Sequence, residues 1–231
     1  MKKKLLLLLL IPVLVLPYAC KKETTINTGI SALNVVNATV DAPSISINFS
    51  SSPGTYSSFP VTIPNASNLE FGLPAGTNTI NLISSLDTSK TLFHDILNLK
   101  IGGVYSLYLI GQSPNTDTLF MKDNLPAYQD SSSAVRFINL SPDSGPLNIN
   151  LVGSTQKDFS GLSYKKITDF KKYPATSIIT NNGGYIYEIR TSSGTLLTTF
   201  NFYPSVFKDN TLVISGSINS ANLGVFQINN F

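Results

Sequence analysis

Residues 134–143, AVRFINLSPD, and residues 32–41, ALNVVNATVD, are two versions of one pattern, 102 positions apart. The correspondence continues without a gap, because ISINF at 45–49 falls on LNINL at 147–151. In residues 45–49 and 147–151 apolar side chains largely alternate with polar ones, which is the period of a β-strand with one buried face. Each copy therefore predicts a strand, a turn that contains an aspartate, and a second strand.

Later landmarks recur in the same order in both halves of the chain. LPA at 73–75 matches YPA at 173–175, and YSLYLIG at 105–111 resembles NTLVISG at 210–216. Insertions in surface loops explain why the separation drifts along the chain. We therefore expect two tandem domains, 30–128 and 129–231, with a short polar linker, residues 123–133, around their junction.

The remaining pattern is also that of strands. Residues 105–111 are apolar on both faces, which is typical of a strand buried on both sides, and helical periodicity is nearly absent. Further predicted strands are 79–83, 91–99, 118–122, 185–190, 196–202 and 223–228. The predicted fold class is all-β: two tandem Ig-like antiparallel β-sandwich domains that follow a lipoprotein signal peptide.

The first nineteen residues have the three-part layout of a secretory signal. Three lysines precede an apolar run that is too short to span a bilayer comfortably. Cys20, the only cysteine of the chain, follows Ala19 directly. This arrangement resembles a lipobox, although Pro17 and Tyr18 replace its usual leucine and small residue, and it predicts that Cys20 carries lipid. Residues 20–29 would then be a polar tether. The alternatives are an ordinary cleaved signal with an incidental cysteine and an uncleaved anchor.

Removal of the signal changes the charge balance. The full chain has 16 basic and 13 acidic residues, and three of the basic ones are Lys2, Lys3 and Lys4. The mature chain is therefore neutral overall, and we expect no nucleic-acid partner, which would need a basic face.

The repeated pattern is similar to the bacterial DUF4397 family. RFINLSPD at 136–143, the Pro-Ala turns at 74–75 and 174–175, and an apolar strand that ends at Gly216 carry the resemblance. It implies Ig-like sandwich modules, often found in exported or surface lipoproteins of Bacteroidota-like bacteria. The family has no established activity, so the resemblance implies no catalytic residues and no cofactor.

Few side chains suggest chemistry. His94 is the only histidine and has no nucleophile motif near it. Asp41 and Asp143 occupy equivalent positions in the two copies. They would be metal or sugar ligands or, as we favour, carboxylates that bond the local backbone and fix a turn. We predict no metal site.

One cluster of charge and several aromatic residues have two interpretations each. Lys165, Lys166, Lys171 and Lys172 would contact an anionic surface, or would protect an exposed edge strand from aggregation. Tyr56, Phe59, Tyr128, Tyr173 and Tyr203 lie beside turns, where they would stack on a sugar or, more commonly, pack against the core.

The leading functional hypothesis is a non-catalytic envelope protein with a binding, adhesion or assembly role. We expect it to be attached to the outer membrane through lipid on Cys20, on the periplasmic or cell-surface face, with a glycan or an envelope protein as its partner. The alternative is a carbohydrate-active or other envelope hydrolase with carboxylates on its loops.

Overall fold

The computed structural model of the protein describes residues 29–49, 61–127 and 130–230. The strands of the first half are β1 (Ile30–Thr39), β2 (Ser44–Asn48), β3 (Val61–Pro64), β4 (Ser67–Pro74), β5 (Gly76–Ser84), β6 (Thr91–Leu99), β7 (Val104–Gln112) and β8 (Asn115–Lys122). The second half contains β9 (Ser132–Asn139), β10 (Leu147–Leu151), β11 (Lys157–Leu162), β12 (Lys166–Ile167), β13 (Lys171–Pro174), α1 (Ser177–Asn181), β14 (Tyr185–Thr191), β15 (Leu196–Phe202), β16 (Asp209–Ser215) and β17 (Gly224–Asn229).

Strands β1 to β8 form the first sandwich. Its outer sheet has the order β3-β2-β5-β6 and its inner sheet the order β4-β1-β7-β8. The core between these sheets takes alternate residues of each strand, such as Leu33 and Val35 of β1 and Leu107 and Leu109 of β7. β1 and β7 pair in parallel, and the other neighbours in both sheets are antiparallel.

Strands β9 to β17 repeat this arrangement in the second sandwich. The outer sheet is β11-β10-β14-β15, and the inner sheet is β12-β9-β16-β17. The short strands β12 and β13 pair with opposite halves of β9 and together take the place that β4 has in the first sandwich. β9 and β16 are again parallel. The core is more aromatic here, with Phe137, Tyr187 and Phe202 all fully buried.

The two inner sheets pack face to face. Their contact is a third apolar cluster of fully buried side chains: Val36, Ala38, Tyr108, Ile110, Ile138, Leu140, Val213 and Ile228. Separation of the sandwiches would expose all of these side chains, at ~1.5–3 kcal/mol for each large one. The described strands therefore form one body of four layers, in which the central strands of both inner sheets, β1, β7, β9 and β16, are buried on both faces.

The all-β sandwich prediction is confirmed. The predicted strands 91–99 and 196–202 coincide with β6 and β15, and the stretch 105–111 is the doubly buried β7. Five strands at sheet edges were not predicted: β3, β4, β11, β12 and β13. Within the predicted linker, residues 123–133, Asp123 is buried and β9 begins at Ser132, while the domain boundary itself remains a prediction. No helix among the described residues is long and apolar enough to cross a membrane.

Candidate functional site

A buried ion pair joins the two sandwiches. Asp123 follows β8, and its backbone N–H donates to the carbonyl of Val104 at 2.8 Å. Its carboxylate accepts a hydrogen bond from Ser106 Oγ at 2.7 Å and another from Nη2 of Arg136, which lies on β9. The Asp123 and Arg136 side chains are 0% and 5% exposed. A buried charge pair is tolerated only when its remaining hydrogen-bonding groups are satisfied as well.

The guanidinium of Arg136 meets this requirement through further contacts in the second sandwich. Its Nε donates to Thr211 Oγ1 at 2.8 Å, and that hydroxyl donates to Asn230 Oδ1 at 2.6 Å. The guanidinium also lies over the ring of Phe170, 4.5 Å from the centroid. Arg136 is thereby held by the end of β8, by β16 and by the segment after β12.

Tyr108 of β7 lies next to this network. Burial raises the pKa of its phenol to about 12, and the neighbouring charges of Arg136 and Asp123 act on it in opposite directions. The phenol is therefore neutral at physiological pH. It adds no third charge to the buried pair.

A cleft of about 390 Å³ opens beside the ion pair, between the two sandwiches. It is lined by Met121, Lys122, Asn124, Leu125, Pro126, Arg136, Ile167, Thr168, Asp169 and Phe170. The end of β8 and the following segment supply one wall, and residues 167–170 supply the other. Its volume lies in the range of small-ligand sites, and its lining combines apolar surface with a few polar groups, as such sites do.

The chemistry available in the cleft is limited. Asp123 is paired with Arg136. Asp169 is the exposed carboxylate among the described lining residues. Glycoside hydrolysis ordinarily needs two carboxyl groups on either side of the bond. The arrangement is suited to holding a ligand through Asp169, Lys122 and Asn124 against the apolar wall.

Asp41 and Asp143 both connect the turn after the first strand of a sandwich to the loop after its parallel partner. Asp143 accepts bonds from Ser217 Oγ at 2.7 Å and from the N–H groups of Ile218 and Asn219 at 3.0 and 2.9 Å. Asp41 accepts a bond from the N–H of Ser113 at 3.1 Å. Burial opposes ionisation of Asp143, but these donors outweigh it and lower its pKa to about 2. Within the described chain no group of three or more histidine, cysteine and acidic residues is placed to hold a metal.

Two asparagines with a structural role were missed in the sequence. The amide of Asn37 donates to the carbonyls of Ala42 and Ile63, both at 3.3 Å. Asn139 likewise donates to Ser144 Oγ and to the carbonyls of Gly145 and Leu162. Both side chains are fully buried and fix the turn after β1 or β9. The signal was an identical polar residue inside an apolar strand of both copies, since a buried amide must be bonded.

The four lysines do not form one free patch. Lys165 pairs with Asp117, Lys171 with Asp158 and Lys172 with Asp130. Lys166, Lys171 and Lys172 lie on β12 and β13, at the edge of the inner sheet. Both interpretations of this cluster remain predictions, and the three ion pairs reduce the charge available to an anionic surface.

The other candidate residues are scattered. Tyr173 is buried in the second core against Tyr185 and Tyr187, whereas Tyr203 is exposed. His94 is exposed on the edge strand β6, where its ring contacts the amide oxygen of Asn81. Cys20, the signal peptide, most of the tether and the predicted sugar-stacking residues Tyr56, Phe59 and Tyr128 lie outside the described residues.

Two solved structures are remotely similar to the chain. A family 26 carbohydrate-binding module of Eubacterium rectale Amy13K, crystallised with maltoheptaose, is 9% identical, with 86% of this chain and 97% of that chain covered and a TM-score of 0.26. The Bacillus anthracis TIE protein is 11% identical, with 82% and 33% covered and a TM-score of 0.23. At these scores neither likeness bears on function. No curated protein matches the chain.

A family match is found in the sequence itself. The profile described as "Domain of unknown function (DUF4397)" matches residues 31–150, which span the first sandwich together with β9 and β10 of the second. That the second sandwich is another copy of the domain remains a prediction. Because the match covers more than half of the 231 residues, the chain belongs to the DUF4397 family.

Proposed function

We propose that the protein is a non-catalytic binding protein of the bacterial envelope, anchored by lipid on Cys20, whose cleft between the sandwiches binds a glycan. The observation that carries the binding role is the composition of the cleft. Its polar groups, Lys122, Asn124 and Asp169, surround an apolar wall that includes Phe170, and the adjacent carboxylate of Asp123 is buried in an ion pair.

A glycan fits this cleft better than a folded protein does. A concave site of about 390 Å³ accepts a short oligomer with polar edges and apolar faces. The walls come from two sandwiches that are held rigidly by their common apolar layer. A preformed site loses little free energy to ordering when it binds.

The binding test uses a glycan array and then titration calorimetry with the best glycan. The protein is the mature chain with Cys20→Ser, which removes the lipid but keeps every described residue. We expect Asp169→Asn and Asn124→Ala each to weaken binding by about tenfold. Tyr203→Ala is the matched control, because this exposed aromatic residue does not line the cleft.

The control also separates the alternatives. If Tyr203→Ala abolishes binding and the cleft variants do not, the binding site has been placed wrongly. If no glycan binds, the glycan proposal fails. Release of reducing sugar that is lost in Asp169→Asn would instead indicate a hydrolase.

The proposed lipid anchor on Cys20 is tested by a separate measurement. Mass spectrometry of the N-terminal peptide of the protein purified from bacterial membranes should show diacylglycerol on Cys20, and Cys20→Ser should release the protein from the membrane fraction. An unmodified Cys20 in the mature protein would contradict the lipid anchor.

A further inference from the structure

The strand directions define two ends of the molecule. β1 begins at Ile30, and its parallel partner β7 begins beside it, as the pairing of Ala32 with Val104 shows. We call this the tether end, because residues 1–28 join the described chain here. Gly29 lies against Ile101 of the β6–β7 loop, so close that a Cβ on Gly29 would be 2.6 Å from that side chain.

The second sandwich presents the corresponding end in the same direction. Asp123, bonded to Val104 at the start of β7, pairs with Arg136 in the middle of β9. At the far ends of the same strands, Asp117 of β8 pairs with Lys165, whose N–H donates to the carbonyl of Asn139 at the end of β9. These two cross-sandwich ion pairs place the starts of β1 and β9 at one end.

Exposed apolar side chains are concentrated at this end. Six of them, which we call the tether-end surface, are exposed by 43% to 73% in the loops and strand starts of both sandwiches: Ile30, Ile101, Val152, Ile178, Val206 and Phe207. At the opposite end the corresponding exposed residues are Leu86 and Leu196. Scattered apolar residues are normal on a soluble protein, whereas their concentration at one end indicates an interaction surface.

The charges at the tether end favour an anionic partner. Lys100 precedes Ile101, and Lys208 follows Phe207; both lysines are exposed. Two acidic residues near this end are already paired, Asp130 with Lys172 and Asp158 with Lys171, and Asp209 at the start of β16 is buried. Apolar tips flanked by lysines are the composition of protein surfaces that lie in a membrane interface.

We propose that the tether-end surface rests on the lipid bilayer, with its apolar side chains in the interface and Lys100 and Lys208 at anionic headgroups. The inference depends on the lipid anchor proposed above. From Cys20 the nine residues up to 28 reach at most about 30 Å when fully extended. The lipid on Cys20 would therefore keep this end, and not the opposite one, next to the membrane.

The chain contains no tryptophan, so a single introduced tryptophan is a unique reporter. Ile101→Trp and Phe207→Trp report on the tether-end surface, and Leu86→Trp, at 77% exposure on the opposite end, is the matched control. Each protein is purified with its lipid and reconstituted in vesicles of phosphatidylethanolamine and phosphatidylglycerol, with or without brominated acyl chains. We expect a blue shift and bromine quenching at positions 101 and 207, and neither at position 86.

A second arm separates this proposal from the anchor. The Cys20→Ser forms of the same variants are added to the same vesicles at high lipid concentration and low salt, and flotation measures their binding. We expect weak binding that falls by about 30-fold when Lys100 and Lys208 are both changed to Gln. If Cys20 proves unmodified, this arm alone decides the matter.

Three results would overturn the proposal. The first is the absence of bromine quenching at positions 101 and 207 in the lipid-bearing protein together with no flotation of the Cys20→Ser forms with vesicles. The second is equal quenching at position 86. The third is a blue shift that depends on protein concentration and not on lipid, which would show that a second copy of the chain covers the surface.

Discussion

Removal of one member of the buried pair Asp123–Arg136 should destabilise the protein strongly. In Asp123→Ala the guanidinium, 5% exposed in the native structure, loses the carboxylate that pairs with it, while Thr211 still accepts from Nε. An uncompensated buried charge of this kind costs ~3–5 kcal/mol. That is a large fraction of a typical unfolding free energy of ~5–15 kcal/mol. Arg136→Met should cost a similar amount, because it leaves the Asp123 carboxylate with Ser106.

The double variant Asp123→Ala/Arg136→Met should be less destabilised than the sum of the two single changes. Both charges are then absent, and the apolar side chains fill part of the space. We expect a coupling free energy of at least ~2 kcal/mol in the double-mutant cycle. Urea unfolding followed by circular dichroism and by tyrosine fluorescence measures it, and agreement of the two probes tests whether the sandwiches still unfold together.

The matched control is the second ion pair between the sandwiches. Lys165 and Asp117 are 31% and 55% exposed, so Lys165→Met should cost ~1 kcal/mol or less. A cost below ~1 kcal/mol for both Asp123→Ala and Arg136→Met would refute the reasoning, because water would then be replacing the lost partner. An equal cost for Lys165→Met would show that burial is not what distinguishes the pairs.

Three further changes test other parts of the structure. The pKa of Asp143 is lowered from 3.8 to about 2, so its carboxylate stabilises the folded state above pH 4 and this contribution is lost as the pH falls toward 2. Asp143→Asn should therefore cost ~1–2 kcal/mol of unfolding free energy at pH 7 and almost nothing at pH 2 in urea titrations. The pKa of Tyr108 is raised from 10 to about 12, so its neutral phenol stabilises the folded state below pH 10 and this contribution is lost as the pH rises to 12. Tyr108→Phe should therefore show a smaller fall in unfolding free energy between pH 8 and pH 11 than the unchanged protein. Gly216 has a φ of +89°, and a Cβ there would lie 2.3 Å from the carbonyl oxygen of Asn222. Gly216→Ala should therefore lower the unfolding free energy by ~2 kcal/mol or more. Gly194 has a φ of +95° but open space around it, so Gly194→Ala should cost less.

Much of the fold follows from local patterns. The alternation in 45–49 and 147–151 places β2 and β10, and the doubly apolar β7 is explained by the two cores on its two faces. β1 and β9 are also apolar on both faces. This feature, present in both copies, predicts that the two inner sheets pack against each other. Two sandwiches whose central strands are apolar on both faces must bury the second face against something.

The ion pair and the cleft were beyond local patterns. Asp123 lies in the predicted polar linker, because the surrounding residues are typical of a turn. Nothing in the sequence spacing between Asp123 and Arg136 indicates that their side chains meet. The contact depends on the parallel pairing that aligns the start of β7 with β1, and on the packing of the inner sheets. Such contacts arise from tertiary structure, so composition and periodicity do not encode them separately.

The cleft and the tether end are related through the same contact. Asp123 is bonded to Val104 at the start of β7, and residues 124–126, which follow it, form one wall of the cleft. The wall therefore lies toward the end at which the chain would join its lipid. Because the sandwiches share one buried layer, their relative orientation does not adjust when that end contacts a bilayer. A ligand in the cleft would be held near the membrane surface at a fixed orientation, and a glycan that extends from that surface would reach it more easily than one at the opposite end of the protein.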